Sequence, residues 1–224
     1  MRACNVAFGV FLAAFSAVAS PIATLHSTGE AAQGSQDPYW TVTMQGGSTQ
    51  AAYVTVAGQF PFPYWLADSS SSQWISPQAS YTVGGPGDAE NATYTYTTTF
   101  DLTYYKPGTA AITFGVAVDN SLTAIYLNST DFVGSFVTPT GQDSQGYGQF
   151  HQFSIDPSAL LSGVNTLTFV TENWPGVTGN PNGINVVFYQ ATADLPEPAT
   201  WTLFGAGAAV IFAVRRRRAS RQGA

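Results

Sequence analysis

Cysteine, histidine and interior cations are what this 224-residue chain has least of, and each scarcity removes a class of chemistry. The one cysteine, Cys4, lies inside the first apolar run, so the rest of the chain has no thiol for a disulfide, a thiolate metal site or a nucleophile. The two histidines are His26, in a polar stretch that reads as solvated, and His151, the one candidate base for a serine triad. His151 shares an alternating face with Tyr147, Phe153 and Ile155, which fits a core or rim histidine. Between residues 20 and 195 there is no arginine and one lysine, Lys106, against twelve acids, a formal charge of −11. Such a segment cannot neutralise a row of phosphates, which excludes nucleic acid and anionic headgroups as its partners. H-E-x-x-H, G-x-S-x-G, a Walker loop and a G-x-G-x-x-G after a strand are all missing. Paired carboxylates could serve glycoside hydrolysis. The scatter of Asp68, Asp88, Asp119, Asp131, Asp143 and Asp156 over loops reads more simply as solvation of a lysine-poor surface, and no catalytic activity is expected.

The cations that do exist stand at the two ends. Arg2 precedes an apolar stretch from Ala3 to Val18 that closes in Ala17-Val18-Ala19. A charged start, a short apolar run and A-x-A are the parts of a signal peptide, expected over 1–19 with signal peptidase cutting after Ala19. At the other end Pro196-Glu197-Pro198 leads into an apolar segment, 199–214, followed by Arg215, Arg216, Arg217, Arg218 and Arg221. As a helix that segment spans about 24 Å, somewhat less than a ~30 Å hydrocarbon core, a deficit that snorkelling arginines and Trp201 can make up. Arginines stay cytoplasmic, so a transmembrane helix here would leave the acidic middle outside.

The order of Pro196-Glu197-Pro198, a short apolar helix with Gly205 and Gly207, and a terminal arginine cluster resembles the PEP-CTERM sorting tail of Gram-negative bacteria. The resemblance covers 195–221. It implies recognition of Pro196, Glu197 and Pro198 by an exosortase, Arg215 to Arg218 as stop and orientation signal, transient anchoring in the inner membrane, and delivery to the cell surface or beyond. The family's association with exopolysaccharide export implies a cell-envelope or biofilm-matrix setting.

The middle carries period-2 patterns. In Tyr94 to Leu102 one face collects Tyr94, Tyr96, Thr98, Phe100 and Leu102; in Ala110 to Val118 the apolar face is opposed by small residues, as for a strand covered on both sides. Further strands are expected over Tyr39–Met44, Tyr53–Phe60, Leu122–Leu127, Phe132–Val137, Tyr147–Ile155, Asn165–Thr171 and Ile184–Tyr189, separated by Gly, Pro, Asn and Asp clusters. Asp156-Pro157 predicts a helical turn with Asp156 as N-cap. The sum is a flexible leader over 20–36 and one all-β antiparallel sandwich over 37–193. The order Gln73-Trp74-Ile75-Ser76-Pro77, Tyr96 to Leu102, Val118-Asp119-Asn120 followed by Ala124 to Asn128, Gly163 to Phe169, and Asn173 with Asn180-Pro181-Asn182-Gly183-Ile184 resembles galactose-binding-like jelly-roll domains, with Leu127-Asn128-Ser129 departing from the Leu-Asn-Gly common at that turn.

Two binding constellations follow. Asp119, Asn120, Asp131 and Glu172 bear oxygens near strand ends, as a structural calcium would need, although Asp-Asn turn chemistry explains Asp119-Asn120 as well. Trp65, and Trp174 beside Asn173, stand in loops where a ring could be an exposed sugar platform or a core side chain. The expected role is an exported envelope interaction protein without a cofactor, with carbohydrate binding as the alternative and a secreted hydrolase behind both.

Overall fold

The computed structural model describes residues 19–47, 49–139, 141–174, 179–196, 205 and 207–216. The described strands are β1 (Ala19–Pro21), β2 (Gln36–Met44), β3 (Thr49–Val54), β4 (Ile75–Ser76), β5 (Thr93–Asp101), β6 (Lys106–Asp119), β7 (Ser121–Leu127), β8 (Asp131–Phe136), β9 (His151–Ser154), β10 (Val164–Glu172) and β11 (Gly183–Asp194). One short helix, α1 (Ser144–Tyr147), and a 3-10 turn at Pro157–Ala159 complete them. Asp156 caps that turn, accepting from the Ser158 N–H at 2.9 Å, as its sequence predicts.

The strands hydrogen-bond antiparallel in the order β8-β7-β10-β5-β2-β3-β4-β11-β6-β9, with β1 on the free side of the β11 end. The sheet curls so that the two ends of this order meet. Phe136 of β8 stacks on His151 of β9 at 3.4 Å, and the Phe153 ring covers Gly134. Strands distant in the order then face each other across the core: Phe114 of β6 meets Phe169 of β10 edge-on at 5.9 Å, and Phe169 meets Trp40 of β2 at 5.4 Å. Trp40, Tyr94, Tyr96, Phe100, Phe114 and Phe169 are fully buried, each large ring contributing about 2–3 kcal/mol by leaving water.

Alternation explains which residues go inside. In β5 Tyr94, Tyr96, Thr98 and Phe100 are buried, whereas Thr93, Thr95, Thr97 and Thr99 are not. Along β6 the alternation stops after Thr113, and Phe114 to Asp119 are buried on both faces. Ala117 lies under Trp74 and Trp65, a second apolar cluster outside the main core.

Three expectations need correction. Residues 20–36 are no flexible leader: β1 pairs Ser20 with Ala193, Ile22 and Leu25 are buried, and the Thr28 N–H donates to Val186 O at 3.0 Å. The segment is held by backbone and hydroxyl hydrogen bonds instead of an apolar stripe, so no periodicity announces it. His26 accordingly stacks on Tyr39 at 3.5 Å and pairs with Glu30 at 2.8 Å. The expected strand from Tyr53 ends at Val54, before the turn that Gly58 makes at φ +80°. Of the expected strand Tyr147–Ile155 only His151–Ser154 pairs, because Tyr147 closes α1.

Candidate functional site

At one pole of the molecule β6 ends in Asp119, β7 begins, β10 ends in Glu172 and β11 begins at Gly183. Loop amides knit these ends together. Asn120 Nδ2 donates to Asp119 Oδ1 at 2.7 Å, and Asn180 Nδ2 to Asn120 Oδ1 at 2.6 Å. Asn182 Nδ2 donates to the Asp119 carbonyl at 2.8 Å, and its Oδ1 accepts from Tyr96 Oη at 2.9 Å. Asn173 Nδ2 donates to the Asn180 carbonyl at 2.8 Å, and Asp88 Oδ1 accepts from the Asn180 N–H at 2.9 Å. Asn, with both donor and acceptor on a short side chain, satisfies buried loop backbone that has no strand partner. The peptide bonds Phe60–Pro61, Phe62–Pro63 and Asp119–Asn120 in this region are cis.

Against this network the loop through Phe60 to Trp65 encloses an open cleft of about 230 Å³. Its aromatic side is Phe60, Tyr64, Trp65 and Tyr147; its polar side is Asp119, Asn120, Asp143 and Asn180. Tyr64 is 66% exposed and Phe60 45%, so both rings form the rim, edge to face at 6.2 Å. A neighbouring recess near Tyr81 is about 10 Å³, room for about one water. Asp119 forms the floor. It is 3% exposed, and its Oδ2 accepts from the Trp65 indole N–H at 2.8 Å. Burial pushes its carboxyl up to about 7, the Asp143 charge adds to the rise, and the indole donor opposes it. Near neutral pH Asp119 therefore stands between its charged and neutral forms. Among the described residues Asp143 Oδ1 is buried without a hydrogen-bond partner.

The residues singled out from sequence separate here. Trp65 is no exposed platform: at 3% exposure it stacks on Trp74 at 4.2 Å, and it reaches the site as a wall and through its N–H. Asn173 is fully buried and ties loops together, and Trp174 is half-buried, its N–H donating to Asn120 Oδ1 at 2.9 Å. The four oxygen-bearing residues do not assemble into a calcium site. Asp131 pairs with Leu127 at the far end of β7, about 20 Å along the strand from Asn120. Asn120 Oδ1 is occupied by two donors, and Glu172 meets Asn120 through its backbone carbonyl. Among the described residues no group of three or more His, Cys, Asp or Glu could hold a metal. Asp143, Tyr147 and Tyr64 were not legible as site residues. Tyr64 adjoins Trp65 in the same run, but nothing in the chain links Asp143 to Asp119. His151 is not among the residues lining the cleft: its ring stacks on Phe136 and its Nε2 lies 2.7 Å from the Gln145 carbonyl.

At the opposite pole β11 delivers Leu195 and Pro196, and β1 sets Ala19 across from Asp194. Ala17, Glu197, Pro198, Arg217 and Arg218 lie outside the described residues. Residues 207–216, with Arg215 and Arg216 at their end, are helical and exposed. No helix among the described residues is long and apolar enough to cross a membrane.

Comparison with known families finds the PEP-CTERM protein-sorting motif over residues 194–218. No curated protein sequence matches the chain. Among solved structures, the crystal structure of the GH31 alpha-xylosidase from Xanthomonas citri is similar over 70% of this chain and 16% of that one, at 11% identity and a TM-score of 0.30. A likeness this loose carries no argument about activity.

Proposed function

As a chain bearing an exosortase-read sorting motif the protein is exported in a Gram-negative setting, and we propose that it is a non-catalytic interaction protein of the cell envelope, its β domain the binding module. The observation that carries this reading is the opposition of its two poles. β11 runs from Gly183, packed on Trp65 at the cleft, to Asp194, next to the sorting motif. Eleven steps of strand separate them by about 36 Å. Because β1 pairs with the same end of β11, Ala19 and Asp194 share one pole, which in this reading brings the signal peptidase cut and the start of the sorting motif together.

In this proposal the precursor is held in the inner membrane by the apolar segment 199–214 and carries its cleft at the end farthest from the tether. Removal of both ends leaves a thiol-free, acidic, jelly-roll-like sandwich, and the ligand expected from the setting is an exopolysaccharide. An aromatic rim beside amides and carboxylates is a surface on which sugar rings stack and hydrogen-bond. Mass spectrometry of the native protein tests the sorting half: Ser20 at the amino terminus and loss of Arg215 to Arg218 are expected, and an extracellular form with intact arginines refutes processing. Retention on envelope polysaccharide tests the other half. Tyr64→Ala, on a rim residue outside the core, is expected to lower it, and unchanged retention refutes the cleft as contact site. Two carboxylates in one cleft are also what glycoside hydrolysis requires; turnover of aryl glycosides that disappears in Asp143→Asn replaces the binding reading with a catalytic one.

A further inference from the structure

Resting on the cleft as a binding site, we propose that its ligand presents an organic ammonium group, received between the carboxyls of Asp143 and Asp119 and the rings of Tyr64 and Phe60. Charge is the first ground. Residues 20 to 195 contain no arginine, and their one lysine, Lys106, opens β6 while Asp119 closes it, about 43 Å away along the strand. No lysine or arginine of the domain can therefore reach the two acids of the cleft. An anionic ligand is repelled, and a neutral one leaves the carboxylate charge uncompensated.

The second ground is unmet hydrogen bonding. Among the described residues Asp143 Oδ1 has no donor, and a desolvated carboxylate oxygen is costly until an N–H or O–H faces it. An ammonium supplies that donor with charge, as the shorter and stronger kind of hydrogen bond. The third is the rim. The exposed rings of Tyr64 and Phe60 line the same cleft as the acids, and the negative face of an aromatic ring attracts a cation within about 6 Å. A volume of about 230 Å³ suits one small ring or a short chain.

Binding should also answer to pH. The titratable groups around Asp119 are Asp143, Tyr147, Tyr96 and Tyr64, and the Asp143 charge helps hold the Asp119 proton. A bound cation releases that proton, so affinity rises as pH passes from 6 to 8.

The test is calorimetric titration of the full chain in a non-ionic detergent with glucosamine and with putrescine, the sugar-borne and chain-borne forms of one ammonium chemistry, against glucose as the neutral counterpart. At least one amine is expected to bind about tenfold tighter than glucose, a preference that weakens about tenfold in Asp143→Asn and about threefold or more in Tyr64→Ala. Whichever amine binds tighter identifies the source. The melting temperature of each variant checks folding, and Tyr64 is exposed enough that its removal leaves the core intact. Glucose binding as tightly as glucosamine, an amine affinity untouched by both variants, or no amine binding while polysaccharide retention still depends on Tyr64, overturns the ammonium inference and leaves the binding module standing. Retention independent of Tyr64 overturns the module itself.

Discussion

Replacing Asp119 by Asn asks whether the floor of the cleft is as dry as its burial implies. In the folded chain the carboxyl keeps its proton up to about 7, whereas the ordinary value of 3.8 applies once the chain unfolds. Below 3.8 both states are protonated and the group costs nothing. Between 3.8 and 7 the unfolded state ionises while the folded state does not, and stability falls as pH rises; above 7 the full cost is present. At 1.36 kcal/mol per pH step the cost is about 4 kcal/mol, an upper bound because water entering the cleft lessens it. Asn, like the protonated acid, carries no charge, and the mismatch of its amide nitrogen with one of the donors from Trp65 and Asn120 is a cost that does not change with pH. The stability of Asp119→Asn relative to the parent should therefore rise by up to about 4 kcal/mol between pH 3.5 and 8, with most of the change between 4 and 7. Asp37 and Asp68, raised by burial, and Asp101 and Asp156, lowered by hydrogen bonds to Thr103 and Ser158, are common to both chains and cancel in the difference. Urea titrations followed by tryptophan fluorescence measure it, with Trp65 reporting from the site. A difference that stays flat within about 0.5 kcal/mol across that window refutes a desolvated Asp119, and with it the electrostatic account of the cleft.

Thr28→Val removes a hydroxyl that donates to the Gln73 carbonyl at 2.7 Å and accepts from the Val186 N–H at 2.9 Å; a loss of about 1–3 kcal/mol in urea denaturation is expected, and no loss would return residues 20–36 to the status of a leader. Gly183→Ala brings a Cβ within 2.3 Å of the Trp65 ring, so a loss of about 1–3 kcal/mol together with altered Trp65 fluorescence is expected, and an unchanged spectrum would contradict that packing. Ser129 sits at φ +68° in the β7–β8 turn, beside Asn128 at +52°, and Ser129→Gly should raise the melting temperature through about 0.5–1 kcal/mol of relieved backbone strain; a lower melting temperature argues against the left-handed turn.

Much of the sheet was legible because alternation is a local property. Tyr94 to Leu102 and Asn165 to Thr171 declare their inner faces without reference to any partner, and the structure pairs them as β5 and β10 with Phe169 opposite Tyr96. The small second face of β6 likewise announced the double cover that holds from Phe114 to Asp119. Reading failed where burial is achieved by hydrogen bonds, as at Thr28, or where a ring had to be assigned to core or surface. Trp65 was open between those two, and its stacking on Trp74, nine residues away, settled it.

The sequence alone determined that this protein is exported and sorted by an exosortase, since the PEP motif with its arginines is a short contiguous string that a processing enzyme also meets as a string. It determined as well that the middle is acidic, thiol-free and all-β. Only the tertiary structure brought Asp119, Asp143 and Tyr64 to one cleft and set that cleft at the pole opposite the sorting motif. Those residues come from the end of β6 and from two separate loops, and their meeting depends on strand order and sheet curvature, which follow from long-range pairing that no local pattern encodes.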